Sequence, residues 1–98
     1  MNEIRLDGAA WRTADDFYDA VLRALRAPAW HSRNLDALND TLAGDDINEV
    51  RQPLRFTVSG INEMPTDLRN LIENFRDLIV ELRVEGHDVE ITYLPPVV

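Results

Sequence analysis

The chain is organised around residues 28–44, PAWHSRNLDALNDTLAG. The beginning of this stretch combines a proline, a tryptophan and a histidine, a composition typical of a loop. From Asn34 onward the pattern becomes helical, because Leu35, Leu38 and Leu42 recur at the spacing of one helical face. Another face of the same helix carries Asp36, Asn39, Asp40 and Ala43. We therefore predict an aromatic loop followed by a short helix with one apolar and one acidic side.

The acidic side of this helix is not explained by local stability. Asp36 and Asp40 are one turn apart, and like charges at this spacing repel each other. An exposed Trp30 in the preceding loop, beside His31, would give the carboxylates an aromatic neighbour of the kind that anchors protein interfaces. The pattern suits a basic partner. The alternative is a solvated acidic face on a packing helix, with Trp30 folded onto the core and His31 an ordinary exposed loop residue. For Trp11, between the first strand and the first helix, we expect a place in the core.

Composition restricts the classes of function. The 98 residues make one domain, and their formal net charge of −8 disfavours nucleic acid as a partner and favours a basic protein. There is no cysteine, so disulfide and thiolate chemistry are excluded. No apolar run has membrane-spanning length and the first residues do not resemble a signal peptide, so we expect a cytoplasmic protein that binds no membrane.

The remaining segments predict three strands and two further helices. Alternating apolar residues indicate short strands at residues 3–7, 54–59 and 89–93. Helical spacing indicates one helix that begins at Thr13 as its N-cap and stops before Pro28. The longest helix runs from Thr66 toward Gly86, where glycine suits the C-cap. We expect the second helix to stop at Gly44 for the same reason.

The order of these elements, β-α-α-β-α-β, determines the architecture. Strands joined by helix-length crossovers pair in parallel, and these connections are right-handed. The strands alternate rather than form continuous apolar runs, so one face of the sheet stays wetter than in a sheet covered on both sides. We predict an α/β domain of two layers, with helices packed on one face of a three-stranded parallel sheet. It spans residues 1–98 as a single domain, with residues 94–98 a loose tail.

Residues 28–44 resemble the signature region of the barstar family, whose members have the same order of elements. The matching residues are Pro28, Trp30, Asn34, Leu35, Asp36, Ala37, Leu38, Asp40, Leu42 and Gly44. Residues 85–92, EGHDVEIT, are a looser match to the family's closing turn from helix to strand. The resemblance implies a small intracellular protein that inhibits a secreted ribonuclease by occupying its active site. It also implies a partner-facing carboxylate at Glu81.

The resemblance, together with the acidic face, predicts how the chain acts. A ribonuclease active site concentrates cations that hold RNA phosphate, so an acidic helix can occupy it as a phosphate mimic while an aromatic loop replaces a base. We expect a monomer when free, and we expect the partner to contact ten residues: Trp30, His31, Asn34, Asp36, Asn39, Asp40, Ala43, Gly44, Asp45 and Glu81.

The sequence also departs from the family pattern. Asn39 stands where the family commonly carries a bulky aromatic residue, and the loop residues Trp30, His31 and Arg33 differ from those of the namesake. The partner therefore need not be the best-known ribonuclease; a different secreted ribonuclease, or another basic toxin for which this chain is the immunity protein, fits the sequence as well. The alternative function is a regulatory interaction domain that uses the same acidic face without inhibiting an enzyme.

Catalysis is not expected. Paired hydrolytic carboxylates usually face each other across a cleft from different elements, whereas Asp36 and Asp40 share one exposed helix. His31 with these two aspartates makes a poor metal site, and no phosphate-binding loop or nucleophile motif is present. We predict no catalytic residue, no bound metal and no cofactor.

Overall fold

The computed structural model describes residues 1–94 and confirms the predicted order of elements. Three strands, β1 (Asn2–Asp7), β2 (Leu54–Ser59) and β3 (Val89–Leu94), form one sheet. The helices are α1 (Ala14–Ala24), α2 (Leu35–Gly44) and α3 (Thr66–Val84), and a short 3-10 helix, Ile61–Glu63, links β2 to α3. Leu94 belongs to β3 rather than to the expected tail, and residues 95–98 of that tail lie outside the described residues.

The sheet is parallel throughout, as predicted, with β2 between β1 and β3. On its inner face Ile4 is paired with Phe56, which is paired in turn with Ile91. On its outer face a charged row replaces these apolar side chains. Arg55 lies between two acids there, with its Nη1 3.7 Å from Glu3 Oε1 and its Nε donating to Glu90 Oε2 over 3.1 Å. This two-sided sheet explains the alternating strand pattern, because the helices cover only the apolar face.

The core joins α1 and α3 to the central strand through aromatic rings. Phe75 of α3 contacts both Phe17 of α1 and Phe56 of β2 edge to face, each with ring centroids 5.2 Å apart. Trp11 packs against Phe17 at 5.9 Å and is 8% exposed, as expected for a core residue. The helical spacing of apolar residues in α3 places Leu68, Ile72, Phe75, Ile79 and Leu82 in the core, whereas Leu71 and Leu78 are half-buried.

The helix α1 begins as predicted and ends earlier than Pro28 requires. Thr13 is its N-cap and forms a reciprocal capping box with Asp16. The helix stops at Ala24, and Arg26 then adopts a left-handed conformation with φ of 53°. The turn is closed by the Ala27 N–H, which donates to the Leu22 carbonyl at 2.9 Å. Local hydrogen bonds therefore end α1 before the proline is reached.

The carboxylate of Asp16 gives the start of α1 a predictable response to pH. Hydrogen bonds from the backbone N–H groups of Arg12 and Thr13 hold the pKa of Asp16 below its ordinary value. A carboxylate whose pKa is lower in the folded chain stabilises the fold above its unfolded pKa, and this contribution is lost as the pH falls through the folded value.

We expect Asp16→Asn to be less stable than the unmodified chain at pH 7, because the neutral amide is a weaker acceptor for these two N–H groups. The difference should shrink as the pH falls below about 4, the ordinary pKa of aspartate, toward the lower pKa of the folded carboxylate. Urea denaturation of both chains from pH 7 to about pH 3 measures it, with Asp67→Asn, in the first turn of α3, as the control. A difference that does not change with pH would contradict this role of the carboxylate.

Candidate partner-binding face

The helix α2 has the two sides that the sequence predicts. Leu38 and Leu42 are fully buried against the core, and Leu35 at the first turn is half-buried. The opposite side, which we call the acidic face, consists of Asp36, Asn39, Asp40 and Ala43; its first three members are exposed and Ala43 is half-buried. Just before the helix, the Trp30 side chain is 70% exposed. A large aromatic surface and two carboxylates are therefore presented by one continuous segment.

The carboxylates of the acidic face are not neutralised by their own chain. Within residues 1–94, neither Asp36 nor Asp40 forms an ion pair, whereas acids elsewhere in the fold do. Asp15 and Asp19, for example, both pair with Arg33. Two unpaired charges one turn apart keep the acidic face strongly negative, and a cation from a partner would relieve their repulsion.

His31 is not the exposed loop residue that the sequence suggests, and its burial argues against a direct contact with a partner. The residue is 6% exposed, with Nδ1 2.7 Å from the carbonyl oxygen of Ser32 and Nε2 2.9 Å from Oγ1 of Thr41. The Thr41 hydroxyl also lies 3.1 Å from the Ala37 carbonyl. Both ring nitrogens find partners inside the fold, so the imidazole fastens the loop to α2.

This connection brings the loop and the acidic face together. Trp30 precedes His31 and Asp40 precedes Thr41, so the two candidate contact residues are the immediate neighbours of the hydrogen-bonded pair. Consecutive Cα atoms lie about 3.8 Å apart, which limits how far either residue can move from that bond. Thr41, which the sequence alone does not single out, is thus a positioning residue for the candidate site.

Arg33 fastens the same loop to α1. Its guanidinium pairs with the carboxylates of Asp15 and Asp19, and Nη2 also donates to the Asp15 carbonyl at 3.0 Å. The hydrogen bond with Asp19 is the main cause that raises the pKa of Arg33. No local pattern reveals these contacts, because their partners are 14 and 18 residues away in the chain.

Three of the predicted site residues, Asn34, Gly44 and Asp45, lie at the ends of α2. Asn34 is the N-cap as expected, and its Oδ1 accepts from the Ala37 N–H at 2.7 Å. Gly44 was expected at the C-cap, but it is the last helical residue, and Asp45 occupies the cap with φ of 55°. Aspartate tolerates this left-handed conformation better than most residues. Asp45 is half-buried, and its carboxylate accepts a hydrogen bond from the Gln52 N–H at 3.0 Å. The residue therefore has a structural contact and is not only a surface charge.

Gln52 links the C-terminal end of α2 to Asp88, the residue before β3, which the sequence did not predict. Its Nε2 donates to the Leu42 carbonyl over 2.7 Å, and its Oε1 accepts from the Asp88 N–H over 2.9 Å. The last turn of α2 otherwise has carbonyl groups without helical partners. The glutamine therefore satisfies one of them and fixes the helix against the sheet.

Two further acids remain at the edges of this region. Asp46 follows the C-cap and is exposed, and Glu81 is exposed on α3, the helix against which α2 packs. Neither forms an ion pair within residues 1–94. Their contact with a partner remains a prediction.

Candidate metal clusters and membrane-spanning helices are absent from the part of the chain that the structure describes. No cluster of three His, Cys, Asp or Glu side chains there is arranged to share a metal ion. None of the described helices is both long and apolar enough to cross a membrane.

Comparison with known proteins identifies one family. Residues 1–94 match the family model described as Barstar (barnase inhibitor), so the match covers nearly the whole chain. A search among curated proteins finds no match.

The bond between His31 and Thr41 can be tested through stability. Thr41→Val keeps the shape of the side chain but leaves the buried Nε2 of His31 without its partner, so we expect a loss of about 1–3 kcal/mol in the free energy of unfolding. The matched control Thr92→Val replaces an exposed threonine on β3 and should change stability by no more than about 0.5 kcal/mol. Urea denaturation measures both, and equal effects would show that the bond does not hold the loop.

Proposed function

The chain belongs to the barstar family, and we propose that it is an intracellular inhibitor, or immunity protein, of a basic secreted ribonuclease. The observation that carries this proposal is the unneutralised acidic face of α2 beside the exposed Trp30. The family's description as a barnase inhibitor gives the class of partner. The role requires binding only, with no catalytic residue and no cofactor supplied by this chain.

The proposed mechanism follows from what a ribonuclease must bind. Its active site holds RNA phosphate with cationic side chains, which become unfavourable when buried without an anion. Asp40 would accept charge-assisted hydrogen bonds from these cations, and Asp36 would pair with a neighbouring one. Trp30 would fill the adjacent surface that otherwise receives a base. The enzyme is then blocked because its phosphate site is occupied by carboxylates that it cannot cleave.

A rigid binding face makes this mechanism efficient. The loop before α2 is held at two points, by His31 bound to Thr41 and by Arg33 bound to α1. Both ends of α2 are capped by side chains or by bonds from the neighbouring loop. A face that is already ordered loses less conformational entropy when it binds. His31, Asn34, Gly44 and Asp45 therefore contribute mainly by shaping the face.

The charge of the whole chain supports the same partner. A net charge of −8 attracts a basic protein over distances of about a Debye length, roughly 8–10 Å near physiological salt. Asp46 and Glu81 would act at the edge of the interface, where charges alter the association rate more than the dissociation rate. These residues favour rapid capture, whereas Asp36 and Asp40 favour a long-lived complex.

A regulatory domain that binds another basic protein or toxin is the second candidate. It is favoured by Asn39, which presents a small polar side chain at the centre of the acidic face, where the resemblance leads one to expect a bulky aromatic. The two candidates differ in one measurable respect: an inhibitor abolishes ribonuclease activity at one molar equivalent, and a regulatory domain does not.

The first experiment is a titration of barnase-type ribonucleases, beginning with barnase itself, with the purified chain. We expect cleavage of a fluorogenic RNA substrate to fall to background at a molar ratio near one for at least one such enzyme. A basic ribonuclease of unrelated fold is the matched control for non-specific attraction between opposite charges. Inhibition of both enzymes alike, or of neither, would reject an active-site inhibitor.

Asp40 provides the sharpest test of the binding face. Asp40→Asn removes a charge from the second half of α2, where the helix dipole disfavours an anion, so the free protein should keep its stability or gain up to about 1 kcal/mol. The same substitution should weaken binding to the inhibited ribonuclease by about 2–5 kcal/mol, mostly through faster dissociation. Urea denaturation and surface plasmon resonance measure the two effects separately.

The control for this variant is Asp77→Asn, which makes the same charge change at an exposed position of α3. It should leave the dissociation rate unchanged. If Asp40→Asn destabilises the free protein by more than about 1 kcal/mol, or if both variants dissociate alike, Asp40 does not mimic a phosphate.

Trp30 should be an energetic anchor of the interface. Trp30→Ala removes an exposed ring, so the free protein should lose no more than about 0.5 kcal/mol of stability. Binding to the ribonuclease should weaken by at least about 2 kcal/mol, as is typical of a central tryptophan. Val84→Ala shortens another exposed apolar side chain, on α3, and serves as the control. A dissociation constant unaffected by Trp30→Ala would remove the loop from the interface.

A further inference from the structure

A cleft of about 590 Å³ lies between α3, the end of β3 and the 3-10 helix that follows β2. Its apolar wall includes Ile61 and Ile72, and its polar wall includes Arg69, Glu73, Arg76 and Tyr93. Clefts that bind small molecules commonly have volumes of about 300–1,000 Å³ and mix apolar walls with a few polar groups. The cleft also lies by the carboxyl ends of β2 and β3, the edge at which open α/β sheets receive ligands.

Two arginines share one side of this cleft without a carboxylate partner. Arg69 and Arg76 are two helical turns apart on α3, so they point to the same side of the helix. Neither forms an ion pair within residues 1–94, which is true of six of the ten arginines, but these two lie together on one side of the cleft. Arg69 donates to Oγ1 of Thr66 at 3.3 Å. Guanidinium groups that are not held by local acids can bind an anion through paired hydrogen bonds.

Tyr93 adds a polar group that lacks a partner. Its hydroxyl oxygen is shielded from solvent and has no hydrogen-bond partner among the described residues. Burial raises the pKa of Tyr93, the charge of Arg76 lowers it, and Glu73 and Asp77 raise it, so the hydroxyl keeps its proton at neutral pH. A buried hydroxyl is normally paired, because an unpaired one loses the hydrogen bonds that water would supply. A ligand with an acceptor atom would restore one of them.

We propose that this cleft binds a small organic anion, with a carboxylate or phosphate group held between Arg69 and Arg76. The body of the ligand lies against Ile61 and Ile72, and its entry displaces the atoms that now shield the Tyr93 hydroxyl, which then donates to one of its oxygens. Glu73 offsets one of the two positive charges, so the site suits a ligand with a single anionic group and rejects a highly charged polyanion.

The cleft is on a different flank of α3 from the residue expected to face a ribonuclease. At about 100° per residue, Arg69, Glu73 and Arg76 fall within an arc of about 60°, whereas Glu81 lies about 140° from Arg76. The acidic face of α2 is on yet another element. An anion in the cleft and a protein on the acidic face therefore bind without sharing a residue. The proposed anion site can be tested independently of the proposed inhibition.

Binding can be measured by two-dimensional NMR titration of the full chain with phenyl phosphate, benzoate and inorganic phosphate. We expect saturable shifts of the amide signals of Ile61, Asn62 and Tyr93 with at least one of the two organic anions. The tighter of these two identifies the preferred group, phosphate or carboxylate. Inorganic phosphate should bind at least about tenfold more weakly, because it lacks the apolar body. Equal binding of all three, or no saturation in the millimolar range, overturns the proposal.

Matched variants identify the residues responsible. Arg69→Gln and Arg76→Gln should each raise the dissociation constant of the organic anion by about tenfold or more, and Tyr93→Phe should raise it by a smaller factor. Arg23→Gln removes the same charge from α1, away from the cleft, and should have no effect. A similar loss in Arg23→Gln would show that only the overall charge matters, which rejects a built site. All four variants should inhibit the ribonuclease as the unmodified chain does.

Discussion

The packing of Phe75 between Phe17 and Phe56 is the constraint on which the rest of this fold depends. These three rings connect the last helix, the first helix and the central strand through two edge-to-face contacts with centroids 5.2 Å apart. Each such pair contributes about 0.5–1.5 kcal/mol beyond the burial of its apolar area. Because the elements involved are far apart in the chain, the contacts set the position of α1 and α3 on the sheet. The helix α2 then packs against α3.

The position of α2 leaves its acidic face outside the core and makes the loop before it the critical element. Two buried leucines hold the helix, so its carboxylates can remain unpaired without loosening the fold. The chain instead uses Asp15, Asp19 and Asp16 for structural contacts, with Arg33 and with the backbone at the start of α1. Acids that stabilise the fold are thus separate from the acids that we propose for binding. This division allows substitutions on the acidic face to change binding without unfolding the protein.

The arginines likewise divide into those that form ion pairs within the fold and those that do not. Arg26, Arg33, Arg55 and Arg83 form ion pairs that join neighbouring elements, and these are mostly exposed contacts of small energy. Arg69 and Arg76, like Arg5, Arg12, Arg23 and Arg51, form no ion pair within residues 1–94, but these two line the cleft that contains Tyr93. We propose that these two regions, which lie on different flanks, bind a basic protein and a small anion respectively.

The sequence by itself determined the elements, their order and the parallel sheet, because apolar spacing, caps and crossover length are local properties of the chain. It also identified Asn34 and Thr13 as caps, Trp11 as a core residue and the acidic face as a distinct side of α2. Only the tertiary structure decided the roles of His31, Arg33, Asp45 and Gln52. Each of these residues has a hydrogen-bond partner between 7 and 36 residues away in the chain. No local pattern contains those partners, so a histidine that resembles a surface loop residue in the sequence is buried and links the loop to α2. In the same way, Pro28 could have ended α1, but backbone hydrogen bonds close the turn before the proline is reached.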